Sequence, residues 1–213
     1  MIDMYPFRNA VTVSHMLLDP YVRRAGVIVD MTCGNGYDTA FLAKLMPADA
    51  VLYAFDIQPC AIERTKQRLL EEKLTDRDVR CQCGSHDELL ETVPDGIDVM
   101  VFNLGYLPSG DHHIHTDYEI TLRALKLGLN KIAINGIIII AAYPGTEAGA
   151  QEERALQSFL KDVPQGAFHV SSWKPVNEVH CPPLLYVVQK RGKGHYEKIS
   201  DRKSTRLNSS HSP

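Results

Sequence analysis

The chain has 213 residues, 44% hydrophobic and 23% charged, which are ordinary globular proportions, and no apolar run reaches the ~20 residues that a membrane span needs, so no membrane partner is expected. A formal charge of -3 excludes a global basic field for gathering phosphates, so any RNA contact has to be local. The five cysteines, Cys33, Cys60, Cys81, Cys83 and Cys181, contain no Cys-x-x-Cys pair, which argues against a disulfide framework and a zinc knuckle and for free thiols in a reducing compartment.

The first residues lack a basic stretch followed by an apolar core and a cleavage site, so a cytoplasmic address is expected. With no linker in the body, residues 1–191 read as one domain and 192–213 as a tail. Within that tail, residues 201–213 (DRKSTRLNSSHSP) have neither helical nor strand period and resemble translated sequencing-adapter sequence. They hold three basic residues and one acid, so the remaining body is more acidic than the whole.

Residues 8 to about 24 place Val11, His15, Leu18 and Val22 on one stripe of an amphipathic helix. Gly26 breaks it, and Val27 to Val29 form a β-branched run ending at Asp30, followed by a glycine-containing turn and a helix bearing Phe41, Leu42 and Leu45. The unit recurs as a strand over 51–55, a helix over 61–72, a weaker strand near 79–81, a strand over 97–102, a helix over 117–131 and a strand over 137–141. A helix near 150–161 and strands at 168–170 and 184–188 complete the body. Alternating strands and helices predict a parallel sheet covered on both faces. The last connection is too short for a helical crossover, so the final pair is expected to be antiparallel. The predicted class is α/β: a Rossmann-like, mostly parallel seven-stranded sheet with a C-terminal antiparallel hairpin, the methyltransferase version of that fold.

The first turn reads VDMTCGNGYDT, with Asp30 at the strand end, Gly34 and Gly36 in the turn and Asp38 opening the helix. Small residues there let the backbone approach a ligand at the carboxyl end of the strand. A dinucleotide would want glycine where Thr39 stands, and its pyrophosphate would meet two carboxylates. S-adenosylmethionine, cationic at sulfur and ammonium, suits the acids better. Asp56, ending the second strand, is placed to accept from ribose hydroxyls, although an acid there also serves as a helix N-cap. Ser85 and His86 line the adenine edge in one reading; in the other, Ser85 and Glu88 form a capping box. Asn103 ends the fourth strand, where its amide oxygen and a neighbouring carbonyl could hold an amine by its hydrogens; the plainer reading is a turn residue. His112, His113 and His115 read as solvated loop histidines, and no metal is expected.

With these blocks in order, the chain resembles the rRNA methylase family of class I methyltransferases, which includes enzymes acting on wobble 5-aminomethyl-2-thiouridine in tRNA. The resemblance spans about residues 10–191 and rests on His15, VDMTCGNGYDT, FDIQ, GSHDEL, VFNLGYLPSGD, YPGTEAG, Asn177 and Pro182-Pro183. It implies S-adenosylmethionine as cofactor, held by Asp30, Thr32, Gly34, Asn35, Gly36, Asp38, Thr39, Asp56, Gln58, Ser85, His86 and Asn103. It implies catalysis by Asn103, Tyr106 and Tyr143, with Tyr143 stacking on the base, and substrate contacts at His15, Leu104, Gly105, Asp111 and Asn177. The reaction implied is N-methylation of an aminomethyl group in the tRNA anticodon region, possible as a homodimer. Two positions depart from the family pattern: Thr146 stands where histidine is frequent, and Glu178 where glutamine is. Arg23-Arg24 and Arg123, Lys126 and Lys131 are the candidate RNA-binding patches. The alternatives are methyl transfer to rRNA or a small amine, a non-catalytic nucleotide-binding module, and a dehydrogenase with a degenerate fingerprint.

Overall fold

A computed structural model describes residues 7–105 and 118–192. The strands are β1 (Val27–Asp30), β2 (Val51–Asp56), β3 (Asp78–Cys83), β4 (Ile97–Asn103), β5 (Ile132–Ala142), β6 (Phe168–Trp173) and β7 (Leu184–Lys190). The helices are α1 (Ala10–Val22), α2 (Tyr37–Leu45), α3 (Pro59–Glu71), α4 (His86–Glu91), α5 (Tyr118–Lys131) and α6 (Glu147–Lys161). One seven-stranded sheet runs β3-β2-β1-β4-β5-β7-β6. The pairs among β1 to β5 are parallel, whereas β7 is antiparallel to both β5 and β6. The predicted class and the closing hairpin are therefore observed, with β7 inserted between β5 and β6.

The central strands are apolar almost continuously because both faces are covered. Successive residues divide between two cores: Val29, Met100, Phe102, Ile138 and Ile140 pack on the face of α4, α5 and α6. Ile28, Val99, Val101, Ile137 and Ile139 pack on the face of α1, α2 and the last turns of α3. By this alternation Asn103, two residues after Val101, projects toward α1 and α2, which decides what it meets.

Two expectations need correcting. The α1 stripe is rotated from the one read in the sequence: Ala10, Val13, Ser14, Leu18 and Val22 are buried, while Val11 and His15 are half-buried. The strand expected at 137–141 begins at Ile132, because the chain kinks at Asn135 (φ 67°) and shifts register against β4 between Ile97 and Val99. The basic patches, by contrast, make contacts within the fold while Arg23 and Arg123 stay exposed. Arg23 forks onto both Asp19 oxygens (2.7 and 3.1 Å), Arg123 Nε donates to Asp87 (2.9 Å), and Lys131 Nζ reaches the carbonyls of Glu91 and Val93.

Lys190 is buried, and its Nζ donates to the carbonyls of Leu129, Asn130 and Ile132 at 3.5, 3.4 and 2.8 Å. It thereby ties β7 to the C-terminal end of α5, where carbonyls lack helical partners and a cation is favoured. Among the described residues, no helix is long and apolar enough to cross a membrane.

Candidate active site

The carboxyl ends of β1, β2 and β4 meet above the β1–α2 turn. Asp30 is fully buried there; its Oδ2 accepts from Thr39 Oγ1 at 2.6 Å and its Oδ1 from the Thr32 N–H at 3.2 Å. Thr39 occupies the place of a dinucleotide fingerprint's third glycine, and its hydroxyl makes a bond that glycine cannot. Burial, and then the charge of Asp38, push the Asp30 carboxyl up to about 7, with Asp56 adding to the rise. The three acids therefore share one region of unfavourable negative potential, which a cation would relieve and a pyrophosphate would worsen.

The turn is built to approach something closely. Gly34 and Gly36 have left-handed φ angles of 52° and 78°, which an L side chain rarely adopts. Asp56 Oδ2 accepts from the Gly34 N–H and Oδ1 from the Gln58 N–H, both at 2.9 Å, so the acid links the β1 turn to the start of α3. Burial pushes its carboxyl up, opposed by those backbone donors. The turn is clamped from α3 as well: Arg64 Nη1 donates to Asn35 Oδ1 (3.2 Å), Arg68 Nε to the Asn35 carbonyl (2.7 Å), and Thr65 Oγ1 to the Gly34 carbonyl (3.3 Å). The Arg68 guanidinium also lies 3.5 Å over the Tyr37 ring. Asn35 thus offers its side chain to α3, and Gln58 is buried with its Oε1 facing Cys60.

Asn103 is the junction of the site. Its backbone N–H donates to Thr32 Oγ1 at 2.7 Å and its Nδ2 to Asp38 Oδ2 at 2.9 Å. The other Asp38 oxygen, Oδ1, faces His15 Nε2 at 2.7 Å, and the His15 ring stacks on Phe41 with centroids 3.7 Å apart and planes 3° from parallel. The Tyr143 phenol lies against the Asn103 amide; burial raises its pKa, the Asp38 charge raises it further, and the Asn103 side chain lowers it. Gly105, at φ 139°, has its missing Cβ 3.7 Å from the Tyr143 ring, so the chain passes close to that aromatic.

Other sequence-predicted residues sit differently. Ser85 caps α4 by position only: its side chain makes no cap bond and instead pairs with Asp87, so the capping box with Glu88 does not form. His86 is buried edge-on to Phe102 at 6.1 Å, hydrogen-bonded to the Met31 backbone, with Nε2 lacking a partner. Burial pulls its pKa down, which keeps the imidazole neutral. The Leu104 side chain belongs to the core, so only its backbone remains for a substrate. Asn177 and Glu178 are exposed in the β6–β7 connection, remote in sequence from the Asn103 junction. Thr146 caps α6, its side chain accepting from the Gly149 N–H at 3.1 Å. Tyr106, Asp111, His112, His113 and His115 lie outside the described residues. Among the described residues no group of three or more His, Cys, Asp or Glu side chains is arranged to hold a metal ion.

Sequence reasoning missed the bond from His15 to Asp38 and the Arg64–Arg68 clamp. Neither had a local signal, since their partners are 23 to 33 residues apart and meet only when α1 and α3 dock beside α2.

Residues 52–189 match the model of the family described as "Putative rRNA methylase". A curated relative, tRNA (mnm(5)s(2)U34)-methyltransferase, chloroplastic, of Arabidopsis thaliana, is 29% identical over 195 residues, covering 86% of this chain and 70% of that protein. Ribosomal RNA small subunit methyltransferase C of Acinetobacter baylyi is 26% identical over 137 residues, 63% of this chain but 38% of that protein. Among solved structures, a "putative rRNA-methylase" from Clostridium thermocellum has TM-score 0.82 and 37% identity over 86% of this chain and 98% of that one. A methyltransferase from Streptococcus mutans, solved in complex with SAH, has TM-score 0.76 and 33% identity over 84% and 97%. On the extent of the matched segment, this chain belongs to the rRNA methylase family.

Proposed function

We propose that this methyltransferase uses S-adenosylmethionine to N-methylate the aminomethyl group of wobble 5-aminomethyl-2-thiouridine in tRNA. The observation that carries the reading is the Asn103 amide: its Nδ2 donates to Asp38, which leaves Oδ1 as its acceptor end, and the side chain lies against the Tyr143 phenol. The cofactor supplies a methyl group on a positively charged sulfur. Its fit rests on the acids Asp30, Asp38 and Asp56, on the left-handed Gly34–Gly36 turn, and on Asp56 as acceptor for ribose hydroxyls. Thr32 and Thr39 hold that turn in shape, Gln58 and Asn35 brace it from the α3 side, and Ser85 and His86 border the adenine.

Asn103 Oδ1 accepts a hydrogen of the acceptor amine, which turns the nitrogen lone pair toward the methyl group. The amine is nucleophilic once deprotonated, so the protein's task is to desolvate and align it, and no covalent cysteine is needed. Tyr143 stacks on the base. The same reading places Tyr106, Gly105 and Asp111 along the acceptor, the enzyme in the cytoplasm, and the anticodon region as its partner surface, with a homodimer joining patches from two copies. The similarity to a tRNA wobble-uridine enzyme over 86% of this chain supports it.

A second reading is rRNA or a small amine as acceptor; one observation favours the small amine, that Arg23, Arg123 and Lys131 already have partners within the fold. Mass spectrometry of nucleosides separates the two. Aminomethyl-bearing tRNA is incubated with the protein and isotope-labelled S-adenosylmethionine. Label in methylaminomethyl-2-thiouridine is expected, and it disappears in Asn103→Ala while cofactor binding persists. Cofactor binding with no labelled nucleoside sinks the tRNA reading and directs the search to rRNA and small amines.

A further inference from the structure

The His15–Asp38–Asn103 chain implies a division of labour that the acidic character of the turn conceals. We propose that Asp38 and His15 are positioning residues, which set the orientation of the Asn103 amide and act through it. The inference rests on the amine-holding role of Asn103 given above.

An amide side chain is nearly symmetric in shape, and rotating it by half a turn exchanges an acceptor for a donor. A primary amine offered to the wrong face would meet Nδ2 hydrogens, which would bind the nitrogen lone pair needed for reaction. Asp38 removes this ambiguity, because a carboxylate only accepts and therefore selects the Nδ2 side of Asn103, at 2.9 Å. The Asn103 backbone is fixed separately by its N–H bond to Thr32 Oγ1, so what remains is rotation about the two side-chain bonds, and the Asp38 bond sets which end of the amide faces the acceptor.

Asp38 needs its own anchor, since it is in the first turn of α2 and its side chain could otherwise rotate. His15 of α1 supplies one, bonding Oδ1 at 2.7 Å, and the parallel stack on Phe41 fixes the plane of the imidazole. His15 and Asp38 are 26% and 14% exposed at the side chain, so water competes little for the bond.

The test uses the whole protein and two independent readouts. The Asn103 side-chain amide is followed by 15N NMR, assigned by its loss in Asn103→Ala, in wild type, Asp38→Asn, His15→Phe and His15→Gln. Slow exchange and a fixed shift are expected in wild type, their loss in Asp38→Asn and His15→Phe, and recovery in His15→Gln, which keeps a donor. Methyl transfer should fall roughly 10- to 100-fold in kcat in Asp38→Asn, as for a misplaced reacting group. Because the Asp38 charge also belongs to the acidic region that favours the cofactor's cation, calorimetric Kd for S-adenosylmethionine should rise in Asp38→Asn, but only about threefold (~0.7 kcal/mol), well short of the fall in kcat. An unchanged Asn103 signal in every variant overturns the proposal, as does a loss of cofactor affinity in Asp38→Asn that matches the loss of rate. If the wild type methylates no tRNA, the function proposed above fails, and the NMR and calorimetry still decide on the positioning pair.

Discussion

Gly36 lies directly against Thr65: a Cβ built on Gly36 would fall 2.8 Å from Thr65 Cα, at a φ of +78°. The contact seats the β1–α2 turn on α3 and leaves no room for a side chain. Gly36→Ala is therefore expected to cost more than the ~1–2 kcal/mol of a left-handed L residue alone. Gly96→Ala is the control, since Gly96 has a positive φ (+95°) but nothing within 4 Å of its added Cβ. Urea unfolding of both variants checks this; equal losses would mean that the Thr65 contact has no energetic role.

The Asp30 carboxyl should leave a signature in the pH dependence of stability. Its pKa rises from 3.8 to about 7 in the fold, so between those values the native state keeps a proton that the unfolded chain has lost. The unfolding free energy attributable to Asp30 therefore falls as pH rises from about 4 to 7 and levels off above. Denaturant titrations at pH 5 and 8 should show this decline in wild type and a flatter profile in Asp30→Asn. A bound cation favours the carboxylate, so S-adenosylmethionine binding near pH 6 should release a proton, visible as a dependence of calorimetric heat on buffer ionisation enthalpy. A buffer-independent heat would remove Asp30 from the cofactor's electrostatics.

The sheet was legible because its strands obey simple rules: two-sided burial gives Val27–Val29, 97–102 and 137–141 continuous apolar runs, and Pro182-Pro183 lies in a connection too short for a crossover. The ends of the strands were legible in type, since Asp30, Asp56 and Asn103 fall where ligands bind in open sheets. The linkage between them was not. Nothing in the spacing of His15 and Asp38 says that they touch; that depends on the rotation of α1, which the sequence stripe misplaced because His15 turns onto Phe41 instead of into the core. Lys131 was as hard to read: it looks solvated on a helical wheel, but α5 packs beside α4 and hands it to the Val93 carbonyl, whereas Arg123 reaches Asp87 and stays exposed.

Lys190→Met should be costly although methionine matches the apolar surroundings. Three carbonyls near the end of α5 lose their donor, and water has little access to replace it. An unsatisfied buried polar group costs about 1–3 kcal/mol, so a destabilisation of at least that size is expected from thermal or urea unfolding. A neutral result would mean that solvent reaches these carbonyls and that the lysine is dispensable there.

Tyr143 combines a ring and a hydroxyl whose roles separate by substitution. Its phenol stays protonated through neutral pH, because burial and then the Asp38 charge raise its pKa, so it can donate throughout the assay range. Tyr143→Phe keeps the ring and removes one hydrogen bond of ~0.5–1.5 kcal/mol, so kcat should fall about 2- to 13-fold with little change in KM for tRNA. Tyr143→Leu also removes the aromatic face, and base stacking is worth ~1–3 kcal/mol, so KM should rise roughly 5- to 150-fold. The discriminating comparison is KM between the two variants. Equal values would show that no base rests on the ring, and Tyr143 would then act only through its contact with Asn103; a large gap would make the ring itself the floor on which the wobble base is held.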